Sequence, residues 1–90
     1  MTVSESFLRI QSELRDVLAR RVRELRHSSQ MSQRDLAEQA GIRQALVSQI
    51  ERGEANVTID SLLRVAIALH VNLPALFDSR AQAPGCRDDD

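Results

Sequence analysis

Apolar residues recur at helical spacing along most of the chain, and polar breaks divide them into five segments. Over residues 2–27, Phe7, Ile10, Leu14, Val17, Leu18, Val22 and Leu25 form one stripe, which predicts a long first helix. Thr2 and Glu5 have the spacing of a capping box at its start. The polar run His27, Ser28, Ser29 and Gln30 ends the stripe. Ser32 opens a second helix, with Asp35 as the acidic half of its cap, Leu36, Ala37 and Ala40 as its inner face, and Gly41 as its stop. A third segment covers residues 43–52 and stops at Gly53. Thr58 caps a fourth helix whose apolar residues are Ile59, Leu62, Leu63, Ala66, Ile67 and Leu69. Asn72 caps a short fifth helix, with Pro74 in its first turn and Leu76 and Phe77 facing inward. The pattern predicts an all-α fold of five helices with an extended first helix, one domain over residues 1–78. From Ser79 the composition turns small, polar and charged, which predicts a disordered acidic tail over 79–90.

Composition supports the helical reading. With only Phe7 and Phe77 as aromatics, Leu, Ile, Val and Ala must fill the interior, which favours helix-on-helix packing over a β-sandwich. No apolar run reaches the about 18 residues of a transmembrane helix, and the N-terminus lacks the order of a secretory signal, so a cytoplasmic protein is expected. Cys86 is a lone cysteine, and His27 and His70 have no ligand companions, so neither a disulfide nor a metal nor any cofactor is expected. No Gly-x-Ser-x-Gly or related context surrounds a serine, so no enzyme is expected. The net charge of −1 hides an uneven distribution. Residues 20–52 hold seven Arg against four acids, and residues 78–90 hold four acids against two Arg, so a mildly basic domain carries an acidic end.

Two short helices joined across a tight glycine turn make a helix-turn-helix. At about 100° per residue, Leu46, Val47 and Ile50 fall on one side of the third segment, and Gln44, Ala45, Ser48, Gln49 and Arg52 on the other. The outward side has two amides, a hydroxyl, a methyl and a guanidinium, with no carboxylate. Gln both donates to and accepts from adenine at its major-groove edge. Ala45 permits close approach, Ser48 and Gln49 reach neighbouring bases or backbone, and Arg43 and Arg52 bracket the segment for phosphates. Ser32 and Gln33 stand at a helix N-terminus, where free N–H groups suit a phosphate oxygen.

Residues 31–42 (MSQRDLAEQAGI), 47–53 (VSQIERG) and 58–69 (TIDSLLRVAIAL), continuing to Leu76 and Phe77, resemble the phage Cro/repressor-type helix-turn-helix family, also called XRE. The resemblance covers about residues 20–77. It implies a five-helix domain that binds operator double-stranded DNA, usually as a symmetric dimer. It implies Gln44, Ala45 and Gln49 as base readers, Gln33, Arg43, Arg52 and Asn56 as phosphate contacts, and a structural pair between Arg26 and Glu51. The chain departs from the pattern at Arg43, where members often have a capping Ser or Thr, and at Gln30, where they often have Gly. Its first helix also starts some fifteen residues upstream. The stripe Phe7, Ile10, Leu14 and Val17 on that extension is read as a dimer contact, since exposed apolar stripes mark partner surfaces.

The expected function is a sequence-specific transcriptional regulator, a repressor acting as a homodimer on an inverted repeat. The chain ends soon after the fifth helix, so no ligand-sensing domain is expected. Two variants remain open at this stage, an antitoxin with a toxin partner and a restriction-modification controller protein. A rival from another class is an interaction module that has lost DNA binding, which the low net charge favours and the acid-free outer face opposes.

Overall fold

A computed structural model describes residues 4–78. The elements are α1 (Glu5–Ser28), α2 (Gln33–Ala40), α3 (Gln44–Glu51), α4 (Ile59–Ala68) and a terminal 3₁₀ helix (Leu73–Phe77). Residues 1–3 and 79–90, with the expected tail and Cys86, lie outside the described residues. The cap of α1 is Ser4, whose hydroxyl accepts from the Phe7 N–H at 3.0 Å, so the helix starts two residues later than the Thr2 and Glu5 spacing predicts. The fifth helix is a correction. Leu73–Phe77 is a 3₁₀ turn, with the Ala75 N–H bonded to the Asn72 carbonyl and the Asp78 N–H to the Ala75 carbonyl. Five residues with a proline in the first turn close too few α-type bonds to offset nucleation, and the tighter helix is the usual short solution.

All four α-helices end in the same way. The N–H of the residue that follows the left-handed one returns to a carbonyl in the last turn: Met31 to Arg26, Ile42 to Ala37, Glu54 to Gln49 and Val71 to Ala66, each at 3.0–3.1 Å. This closure needs a left-handed residue. Gly41 (φ 71°) and Gly53 (φ 74°) adopt it freely, whereas Gln30 (φ 59°) and His70 (φ 62°) adopt it against their Cβ atoms. Gln30 thus keeps the glycine conformation without the glycine. Gln30→Gly is expected to stabilise the domain by about 1 kcal/mol, read as a raised urea midpoint at unchanged slope; a lowered midpoint would show that the strain is not there.

The core is aliphatic. Leu18, Val22 and Leu25 of α1 meet Leu36, Ala37 and Ala40 of α2, Val47 and Ile50 of α3, Leu62, Val65 and Ala66 of α4, and Leu76 of the 3₁₀ helix. α3 is wedged between α1 and α2, and α4 closes the far side of α2. The loop after α3 presses on α1, since a Cβ on Gly53 would lie 3.3 Å from the Asp16 carboxylate. Leu62, Ala66 and Leu69 face inward as expected, but Ile59, Leu63 and Ile67 do not, and Val65 and Ala68 are buried in their stead. Phe7, Ile10 and Leu14 are exposed, and Val17 is half-buried.

Candidate nucleic-acid interface

The recognition helix is held by a buried ionic knot. Arg26 of α1 grips the Glu51 carboxylate at the end of α3 with two parallel bonds, Nε to Oε2 at 2.6 Å and Nη2 to Oε1 at 2.9 Å. The third guanidinium nitrogen, Nη1, donates to the Met31 carbonyl at 2.9 Å. Gln33, at the start of α2, donates its amide to Glu51 Oε1 at 3.0 Å, and Arg23 donates to the Glu51 backbone carbonyl. One carboxylate therefore ties α1, α2 and α3, and it fixes the outer face of α3 relative to the N-terminus of α2. Burial pushes the Glu51 carboxyl up, but the bonds from Arg26 and Gln33 and the charges of Arg26 and Arg23 outweigh it and hold it below the ordinary glutamate range.

With Val47 and Ile50 sunk in the core, the opposite face of α3 must point outward. Gln44, Ala45, Gln49 and Arg52 are exposed and Ser48 is half-buried, the face expected from the helical wheel. Arg43 is exposed and is the N-cap of α3 but makes no side-chain cap bond, so the helix proper starts at Gln44. Arg52 lies back along the helix, bonded to the Ser48 hydroxyl, and pairs with Glu54 at 3.1 Å. Asn56 accepts through its amide oxygen from Arg15, which leaves the amide N–H₂ as its donor side.

The N-terminus of α2 is more occupied than its sequence implies. The Ser32 hydroxyl accepts from the Asp35 N–H at 2.9 Å, and the Asp35 carboxylate accepts from the Ser32 N–H at 2.9 Å. That backbone bond, then the Ser32 hydroxyl, holds the Asp35 carboxyl below its ordinary range. Among the described bonds, the backbone N–H groups of Gln33 and Arg34 remain the unpartnered donors of this first turn. Arg15 and Arg23, which border α3 and its loop, were not visible as site residues, because only the packing of the extended α1 brings them there. Among the described residues no three His, Cys, Asp or Glu side chains gather as a metal site, and no helix is long and apolar enough to cross a membrane.

An exposed, acid-free polar helix face, locked at a fixed angle to a second helix N-terminus, defines a helix-turn-helix DNA-binding domain. The helix-turn-helix family model HTH_3 matches residues 22–76, and the chain belongs to this Cro/repressor-type (XRE) family. It is a DNA-binding transcriptional regulator and not an enzyme. Similar proteins include the control protein C.SmaI of Serratia marcescens, 36% identical over 65 residues, covering 72% of this chain and 77% of that protein. The control protein C.BamHI of Bacillus amyloliquefaciens is 35% identical over 68 residues, covering 74% and 84%. Among solved structures, the restriction-modification controller protein C.AhdI of Aeromonas hydrophila superposes with a TM-score of 0.68 at 35% identity, covering 70% of this chain and 96% of that one. The family match begins at residue 22, so the exposed first half of α1 lies outside it.

Proposed function

We propose that this chain is the controller protein of a restriction-modification system, binding an inverted-repeat operator as a cytoplasmic homodimer. The observation that carries the reading is the outer face of α3, two amides and a guanidinium without a carboxylate, held rigid by the Arg26, Gln33 and Glu51 knot. The similarity to three control proteins supports the controller role over an antitoxin with a toxin partner and over a general repressor. Gln44, Ala45, Ser48 and Gln49 meet base edges. Ser32, Gln33, Arg43, Arg52 and Asn56 hold the flanking phosphates, with Gln33 acting through its free backbone N–H at the α2 N-terminus and Ser32 through its hydroxyl hydrogen. The apolar stripe Phe7, Ile10, Leu14 and Val17 serves the dimer. The two recognition helices then sit in successive major grooves about 34 Å apart, and bound dimers set the timing of expression through their own concentration.

Arg52→Ala is expected to weaken binding evenly across operator variants and to reduce the slope of log affinity against log salt by about 1. Its partners Ser48 and Glu54 lie at the surface, so the fold should be little affected. A changed base preference would instead make Arg52 a base reader. The test of the reading itself is fluorescence anisotropy with DNA from upstream of the protein's own gene and a shuffled control at near-physiological salt. A preference of about 10³-fold or more is expected. Equal, weak binding to both would replace the regulator with a protein-interaction module.

A further inference from the structure

The loop that follows the recognition helix rests on a part of α1 that lies upstream of the family match at residues 22–76. A Cβ on Gly53 would lie 3.3 Å from the Asp16 carboxylate and 3.8 Å from the Arg15 carbonyl, so these two residues form the seat of the loop. Arg15 is half-buried, in a groove that it lines with Leu18, Ala55, Val57 and Phe77. Its aliphatic stem therefore has apolar neighbours, while its guanidinium reaches the surface and donates through Nη2 to the amide oxygen of exposed Asn56.

We propose that Arg15 belongs to the DNA interface: it orients the Asn56 amide and, together with it, holds one backbone phosphate of each half-site. This rests on the reading of Asn56 as a phosphate contact and adds the residue that makes that contact work. Three observations carry it. The first is the direction of the bond. A guanidinium only donates, so the end of Asn56 that faces Arg15 is the oxygen, and the N–H₂ is turned outward. A phosphate oxygen only accepts, so the N–H₂ is the end it needs. Without Arg15 either end of an exposed amide can face the phosphate, and the oxygen end repels it. The second is spare capacity, since among the described bonds Arg15 uses only Nη2, and Nε and Nη1 keep their hydrogens for a second acceptor. The third is charge. Among the described residues Arg15 is in no ion pair, whereas Arg52, on the neighbouring helix end, already shares Glu54. Asp16 stands about 100° further round α1 and lies against Gly53, so it does not neutralise Arg15. An oriented amide and an uncompensated guanidinium side by side make a donor pair for one phosphate.

The test is anisotropy of the full chain on DNA from upstream of its own gene, repeated over a range of salt concentrations. Arg15→Ala is expected to weaken binding about tenfold at near-physiological salt and to reduce the slope of log affinity against log salt by about 1, with base preference unchanged. Arg15→Lys should keep the slope but recover only part of the affinity, because an ammonium supplies the charge without the fork that also holds Asn56. A support for the loop alone would not move the slope with charge in this way. Asn56→Ala should cost less in the Arg15→Ala background than in the wild type, since the amide has already lost its orientation; equal cost in both would overturn the orienting role. Operators carrying a single uncharged methylphosphonate locate the phosphate. At one position per half-site the substitution should weaken the wild type and hardly affect Arg15→Ala. An unaltered salt slope for Arg15→Ala, or equal methylphosphonate costs in both proteins at every position, would overturn the proposal. The same titrations on shuffled DNA keep the two ideas apart. Specific binding with an unaltered Arg15→Ala slope sinks only the Arg15 contact. Equal binding to both DNAs with the slope still reduced sinks only the specific regulator, because a phosphate contact is independent of sequence.

Discussion

Glu51→Gln is expected to destabilise the domain by about 3–5 kcal/mol, because it leaves the Arg26 guanidinium buried without its counter-charge. Arg26 and Glu51 are 9% and 5% exposed, and the pair is bidentate, with a third bond from Gln33 on the same carboxylate. A glutamine in that place keeps one acceptor and turns an N–H₂ towards a guanidinium that offers only donors. For a domain of this size the loss corresponds to a fall in Tm of roughly 12–40 °C. Thermal unfolding by circular dichroism measures it, and an unchanged Tm would show that the knot contributes nothing. The pH dependence has a defined sign. The Glu51 pKa is depressed in the folded chain, so its contribution is complete above the ordinary glutamate value of about 4.3 and disappears as pH falls through the lower folded value. The Glu51→Gln variant should lack that part of the acid transition. Since the outer face of α3 keeps every contacting group, the variant should retain its base preference wherever it is still folded.

Gln44→Ala is expected to leave stability nearly unchanged and to reduce discrimination at one base step per half-site by about 1–3 kcal/mol, roughly 5–150-fold. Gln44 opens α3, is exposed, and makes no side-chain bond within the described protein, so its amide is available to a base edge. Alanine suits the helix at least as well. Affinities for every single-base variant of the operator would show a flattened profile at one position and its symmetry mate. An unaltered profile would remove Gln44 from the reading surface and pass the role to Gln49 or Arg43. The contrast with Arg52→Ala matters, because one substitution should change which DNA is bound and the other only how strongly salt competes.

Much of this protein was legible in its sequence because the decisive signals are local. Ser32 with Asp35, Thr58 and Asn72 all cap where the spacing predicted, since capping joins groups three residues apart. Gly41 and Gly53 mark two helix ends for the same reason. The other two ends, at Gln30 and His70, use the same left-handed turn but carry residues that ordinarily avoid it, so propensity pointed away from them. The expected pair of Arg26 and Glu51 is present, and it came from family resemblance, since nothing in the 25-residue separation signals it.

The sequence by itself determined the helical class, most of the element boundaries, and which face of α3 points outward, because each depends on periodicity or on neighbours along the chain. Only the tertiary structure decided which side of α4 is covered. Apolar residues almost encircle that helix, so periodicity favours no single face, and packing against α2 and the 3₁₀ helix selects Leu62, Val65, Ala66 and Leu69 while leaving Ile59, Leu63 and Ile67 in water. It also decided that Gln33 clamps Glu51 and that Arg15 reaches Asn56. Those contacts join residues 18 and 41 positions apart, and such pairings exist only once the chain has closed around its core.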